Sequence, residues 1–131
     1  RQMCIRDSQY RELIRKKPDD FLVISGDDDL VLDVTLEGGS GVISVIGQAL
    51  VSDFSKMIHM GLKGDSDAAK TIEKRVMPLI ELIFEENNPA GIKAVLNHMQ
   101  LCEDFVRLPL VVATNTLKSK IAAAILQMKS Q

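Results

Sequence analysis

The stretch FLVISGDDDL, residues 21–30, decides how this sequence is expected to fold. Four apolar residues and a serine run from Phe21 to Ser25, and Gly26 ends the run. A short continuous run rich in Val and Ile, bounded by turn residues, is typical of a strand buried on both faces of a parallel sheet. We therefore predict a buried strand at 21–25.

A second run of the same kind is GVISV, residues 41–45. Between the two runs lies DDLVLDVTLEGG, residues 28–39, whose alternating apolar residues also fit a strand. We favour a helix, because Asp27 or Asp28 can cap its start and Gly38–Gly39 can end it. Strand, helix and strand together form the βαβ unit of a parallel sheet.

Helical periodicity dominates the other segments. YRELIRKK, residues 10–17, forms a short amphipathic helix that Pro18 closes. Apolar residues at helical spacing predict four more helices, at about 50–62, 66–86, 92–99 and 117–128. The final two thirds of the chain is therefore expected to be helical.

Composition excludes several classes of function. The 131 residues carry a formal charge of −2, with four Phe, one Tyr and no Trp, so a nucleic-acid partner is not expected. The longest apolar run, residues 76–84, is far shorter than the ~20 residues of a membrane span, and no signal peptide opens the chain. We predict a cytoplasmic protein without a membrane partner. Cys4 and Cys102 lack metal-ligand spacing and are interpreted as plain thiols.

The acidic triplet Asp27–Asp29 follows a predicted strand, where α/β folds place functional loops. A divalent metal site or a carboxylate pair is one reading. Carboxylates in the first turn of a helix, where they complement its dipole, are the simpler one. The triplet also lacks the alternating pattern of a calcium loop, so no metal is predicted.

Other candidate residues have structural explanations as well. The glycines of EGGSG, residues 37–41, precede a strand, whereas phosphate-binding loops precede a helix. His59 and His98 lie on apolar helical stripes, and Arg15–Lys17 ends a helix where cations are favourable. None of these patterns identifies a reaction.

Four segments, taken in order and spacing, resemble the C-terminal half of the dihydrodipicolinate synthase family of class I pyruvate-dependent aldolases. They are FLVISGDDD, GGSGVISVIGQAL, EENNPAGIKAVL and VRLPL. The resemblance implies an α/β fold, the C-terminal fragment of a (β/α)8 TIM barrel with strands seven and eight, followed by a C-terminal helical appendage. It implies barrel residues at 9–65, the helical domain at 66–131, and a homotetramer.

The chemistry that the resemblance implies depends on a lysine. Family members condense pyruvate with L-aspartate semialdehyde through a Schiff base, in lysine biosynthesis via diaminopimelate, and need no cofactor. Counting back from the SGDD motif, the family's lysine position falls on Arg1. A guanidinium stays protonated and cannot act as this nucleophile. RQMCIRDS, residues 1–8, is unlike the family, so we interpret it as a foreign segment and expect the chain as given to be inactive.

The substrate-binding residues implied by the resemblance are Gly26, Ile43 and Ser44. Gly26 matches a position whose backbone borders the substrate, and Ile43 matches one that lines the pyruvate pocket, with Ser44 beside it. Small and apolar groups suit a wall that excludes water from an imine.

Two alternatives remain open. A sister pyruvate lyase, such as N-acetylneuraminate lyase or a keto-deoxy sugar acid aldolase, is disfavoured by the sequence Ile43–Gly47, because neuraminate lyases tend to carry a GSTYN-like stretch there. The second is a non-enzymatic helical interaction module that uses only the C-terminal helices.

Overall fold

The computed structural model describes residues 7–130, with side chains from residue 9 onward. In chain order the elements are α1 (Asp7–Lys16), β1 (Ile24–Ser25), α2 (Val31–Leu36), β2 (Gly41–Val42), a 3-10 helix (Ile46–Gln48), α3 (Val51–Leu62), α4 (Ser66–Glu85), α5 (Ala90–His98) and α6 (Asn115–Lys129). All the predicted helices are confirmed. Residues 99–114 contain no helix, so the expectation of continuous helices over the last two thirds is wrong for this segment.

The predicted βαβ unit is confirmed, with shorter strands than expected. β1 and β2 pair in parallel, Ile24 opposite Gly41 and Ser25 opposite Val42. Backbone hydrogen bonds from Ser40 N to Val23 O and from Ile43 N to Ser25 O continue this ladder by one step at each end. The predicted strands at 21–25 and 41–45 were too long, because within residues 7–130 each strand has a single neighbour on which to build its ladder.

Burial of β1 on both faces, which the sequence predicted, is also wrong. Val23 and Ser25 are buried on the face toward the helices, where Val23 packs with Tyr10 and Val34. Leu22 and Ile24 point to the other face and are 66% and 46% exposed. Side chains alternate along a strand, and the described helices cover only one of the two faces.

Helix α2 confirms the helical interpretation of residues 28–39, but not the predicted cap. Its N-cap is Leu30, which makes no side-chain capping hydrogen bond. The Asp28 carboxylate instead accepts from the backbone N–H of Val45. The helix does end at the glycines, where Gly39 N donates to Val34 O at 2.7 Å. Gly38 adopts a φ of 101°, which a residue without Cβ tolerates best.

The chain forms two compact units. The first contains the residues up to Val45 together with Ser52–Glu73, and the second contains Ile46–Val51 and the residues from Lys74 onward. In the first unit α2 packs on α1 and on β2. The predicted division into 9–65 and 66–131 stays a prediction.

The second unit has its own apolar core. Helix α5 packs against α6 and against the 3-10 helix. The buried side chains of the second unit include Val76, Leu79, Ile80, Ile83, Ile92, Val95, Leu117 and Ile121. Thr114 caps α6 by accepting from Leu117 N at 3.2 Å, and its own N–H donates to the Glu86 carboxylate at 2.8 Å. No helix within residues 7–130 is long and apolar enough to cross a membrane.

Candidate functional site

The candidate site lies at the carboxyl ends of β1 and β2. Because the two strands are parallel, the loops that follow them leave the sheet at the same edge. The N–H of Ile43 donates to Ser25 O at 2.9 Å, so Ile43 lies beside the peptide bond between Ser25 and Gly26. The structure thus brings together Gly26, Ile43 and Ser44, the three residues for which a pocket role is predicted.

Gly26 is held by a side chain from another element. Its N–H donates to Tyr10 Oη, with 3.4 Å between the two heavy atoms. Tyr10 is the chain's single tyrosine, lies in the first turns of α1 and is only 4% exposed. A buried tyrosine hydroxyl needs a polar partner, and here that partner is the backbone at the end of β1.

The side chain of Ser25 forms a local pair of hydrogen bonds with the backbone of Asp27, on the far side of Gly26. Ser25 Oγ accepts from Asp27 N at 3.2 Å and donates to Asp27 O at 3.0 Å. Ser25 is buried, so this pair holds the backbone on either side of Gly26 from the covered face of the sheet. Gly26 is therefore presented at the edge of the sheet with its own backbone exposed.

The face of the sheet that the described helices leave uncovered carries exposed apolar side chains. Leu22, Ile24 and Ile43 share this face by strand alternation and register, and Ile43 is 68% exposed. Isolated apolar side chains at a protein surface are common, whereas several together mark a surface that another element covers. This group, Leu22, Ile24 and Ile43, is called the open sheet face below.

The three aspartates have three different environments. Asp28 is 3% exposed and accepts from Val45 N, at 3.1 Å to Oδ2 and 3.3 Å to Oδ1. Asp29 is exposed. Partial burial raises the pKa of Asp27, and the neighbouring charges of Asp29 and Asp28 raise that pKa further. Among the described residues no group of three or more His, Cys, Asp or Glu side chains is placed to hold a metal ion.

The other candidate residues lie apart from this edge in the sequence. His59 is exposed, and its Nδ1 lies 2.8 Å from Ser55 O one turn earlier in α3. His98 ends α5, and Cys102 is an exposed free thiol. Arg1, where the family's lysine position falls, and Cys4 lie outside the described residues.

A groove of about 390 Å³ lies between α1 and β1. It is lined in part by Tyr10, Leu13 and Phe21, and the three predicted pocket residues are not among its lining residues. Tyr10 therefore has one side toward this groove, while its hydroxyl reaches Gly26.

Two residues at the edge were missed by the sequence analysis. Tyr10 was read only as part of the apolar stripe of α1, although a lone tyrosine on a buried helix face implies a polar partner. Asp28 was read as a possible helix cap, and a sequence gives no signal for a partner 17 positions away.

Comparison with known proteins places nearly the whole chain in one family. Residues 2–128 match the model of the dihydrodipicolinate synthetase family. This range includes residues 2–8, and the foreign origin of 1–8 stays a prediction. The chain is 45% identical over 113 residues to 4-hydroxy-tetrahydrodipicolinate synthase of Flavobacterium psychrophilum, covering 86% of the chain and 39% of the relative. The enzyme of the same name from Azobacteroides pseudotrichonymphae is 44% identical over 123 residues, 94% of the chain and 42% of the relative.

Solved structures agree with the sequence comparison. The chain superimposes on a dihydrodipicolinate synthase with a TM-score of 0.89 at 31% identity, covering 98% of the chain and 44% of that structure. The synthase from Aquifex aeolicus gives a TM-score of 0.91 at 26% identity, with 98% and 44% covered. The chain thus has the fold of part of the synthase TIM barrel with helices that follow it, while spanning about two fifths of its relatives' length. It belongs to the dihydrodipicolinate synthetase family.

Proposed function

We propose that this chain is the C-terminal portion of a longer lyase, a 4-hydroxy-tetrahydrodipicolinate synthase. The longer protein would condense pyruvate with L-aspartate semialdehyde in lysine biosynthesis via diaminopimelate. Family membership and relatives that carry this enzyme name support the proposal. The relatives are more than twice as long as the matched region, which is the reason to assign the activity to a longer polypeptide.

The observation that carries this proposal is the open sheet face. Its apolar side chains are exposed, and one of them belongs to Ile43, whose N–H donates to Ser25 O next to Gly26. In a closed barrel this face would line the interior, and the carboxyl edge would form the mouth where such enzymes bind substrate. An interior wall of Ile43 and Gly26 would keep water from the imine formed by pyruvate.

The residues of this chain would then bind and enclose the substrate, and the nucleophile would come from the preceding part of the barrel. A lysine amine attacks the pyruvate carbonyl and releases water to give the imine. Loss of a methyl proton gives an enamine, whose carbon attacks the aldehyde of the second substrate. The lysine position falls on Arg1 in this chain, and a guanidinium cannot form the imine, so the chain alone is proposed to be inactive.

The domain boundaries, location and assembly of the longer protein are part of the same proposal. Residues 9–65 would complete the barrel, residues 66–131 would form the helical appendage, and the enzyme would be a cytoplasmic homotetramer. One solved relative that covers 99% of the chain at a TM-score of 0.90 is a monomeric dihydrodipicolinate synthase variant, so the tetramer needs its own measurement of mass in solution.

Substrate choice tests the proposed activity. The full-length protein, expressed from the genomic reading frame, is expected to consume pyruvate only when L-aspartate semialdehyde is present. It should not release pyruvate from N-acetylneuraminate or from a keto-deoxy sugar acid. Pyruvate release from either sugar acid, without condensation of the semialdehyde, would replace the proposal with a sister lyase. The same frame shows whether residues 1–8 are encoded next to the remainder or joined to it artificially.

A further inference from the structure

Asp28 is a buried carboxylate with a distant backbone partner. It is 3% exposed, and charged side chains are rarely buried to this degree unless they are paired. Both of its oxygens lie within hydrogen-bond distance of Val45 N, at 3.1 and 3.3 Å. A hydrogen bond from a neutral donor to an ionised acceptor is stronger than one between neutral groups.

This hydrogen bond joins the two loops that form the candidate site. Asp28 lies two residues after Gly26, and Val45 directly follows Ile43 and Ser44. The backbone ladder reaches the bond from Ile43 N to Ser25 O, and two residues further on the Asp28 carboxylate binds Val45 N. Asp28 therefore links the loop that follows Gly26 to the loop that follows Ile43 and Ser44.

A helix-capping role does not account for Asp28. The N-cap of α2 is Leu30, and the helix has no side-chain capping hydrogen bond at that position. Pairing of the strands does not require Asp28 either, because the register is set by backbone hydrogen bonds of residues 23–25 with residues 40–43. The hydrogen bond from Val45 N to Asp28 places the loop after β2 against the loop after β1.

We propose that Asp28 is a positioning residue for pyruvate binding, which acts by holding Val45 N and thereby the wall formed by Ile43 and Ser44. This inference rests on the proposed function. Asp28 does not touch the reacting atoms in this account. Its loss should therefore weaken pyruvate binding more than it slows the chemical step.

The test uses three variants of the full-length protein expressed from the genomic reading frame, with substitutions at the positions that correspond to Asp28 and Asp29. Asp28→Ala removes the acceptor, and Asp28→Asn keeps an acceptor oxygen without the charge. Asp29→Ala is the matched control, because it removes a neighbouring carboxylate that is exposed. Steady-state kinetics give kcat and the KM for each substrate, and residue-resolved hydrogen exchange reports the Val45 amide directly.

Asp28→Ala should raise the KM for pyruvate about tenfold, while kcat changes less than about threefold. Hydrogen exchange of the Val45 amide should become about tenfold faster or more. Both changes are expected from the loss of a hydrogen bond to a charged group. Asp28→Asn should restore most of both values, and Asp29→Ala should match the unsubstituted protein. An unchanged pyruvate KM in Asp28→Ala, or equal effects of the two alanine variants, would overturn the proposal.

The two proposals can fail separately. If the full-length protein is not a synthase, exchange at Val45 still decides whether Asp28 holds this amide, and unaltered exchange in Asp28→Ala overturns the inference. If the protein is an active synthase and pyruvate KM does not respond to Asp28→Ala, the function stands and the positioning role is wrong.

Discussion

Leu22 reports whether the open sheet face is the interior of a closed barrel. Its side chain is 66% exposed in this chain, so only about a third of it is removed from water. Because burying a whole leucine stabilises a protein by about 1.5–3 kcal/mol, Leu22→Ala should lower the free energy of unfolding of the isolated chain by about 0.5–1 kcal/mol. In the longer protein the side chain is expected to be enclosed, and there the same truncation should cost about 2–5 kcal/mol.

Val23 provides the matched control. It follows Leu22 in the chain, points to the opposite face and is already buried against Tyr10 and Val34. Val23→Ala should therefore cost a similar amount in the isolated chain and in the longer protein. Urea unfolding followed by circular dichroism, at one fixed protein concentration because an oligomer's stability depends on concentration, gives all four values. A cost of Leu22→Ala below about 1 kcal/mol in the longer protein would refute the barrel-interior assignment.

Two further predictions concern the second unit and its packing. Hydrogen bonds from the Thr114 hydroxyl and, to a smaller extent, from the Thr114 backbone N–H lower the pKa of Glu86 from its usual 4.5 in the folded state. As the pH falls, Glu86 is therefore protonated first in the unfolded state. The stabilisation by Glu86 is fully present above pH 4.5 and is lost as the pH falls through the lower pKa of the folded state. Glu86→Gln should flatten this part of the curve of unfolding free energy against pH, and an unchanged curve would argue against the contact between Glu86 and Thr114. Gly91→Ala would place a Cβ 2.0 Å from the carbonyl oxygen of Ile83, a backbone atom that cannot easily move. This substitution should lower the free energy of unfolding in urea by about 2–3 kcal/mol. Gly61→Ala, where the nearest atom belongs to a side chain, should cost less, and the reverse order would contradict this packing.

Local patterns predicted the kind of each element better than its extent. The runs at 21–25 and 41–45 identified two parallel strands, since β-branched residues suit a sheet regardless of its size. Strand length depends on the neighbouring strands, and within the described residues these two have only each other. Leu22 and Ile24 are exposed, although their sequence is that of a fully buried strand, because the described helices cover only the other face of the sheet.

The candidate site depended on different information. Gly26, Ile43 and Ser44 were assigned from the family resemblance, because no spacing or charge pattern marks them, and their pocket role stays a prediction. Asp28 binds a backbone N–H 17 positions away, and three neighbouring aspartates give no sign of which one does so. Tyr10 binds a backbone N–H 16 positions away, and the apolar stripe of its helix does not predict that partner. The carboxylate that is buried among the three could be chosen only from the structure.

Trapping with borohydride tests the central claim most directly. Pyruvate and sodium borohydride are added to the full-length protein and, in parallel, to the 131-residue chain, and the modified residue is located by mass spectrometry. The account predicts a reduced pyruvate adduct on one lysine of the full-length protein, in a Lys–Glu pair a few residues before the YRELI helix, and no adduct on the chain alone. An adduct on any lysine within residues 9–131, or none on the full-length protein, would contradict it.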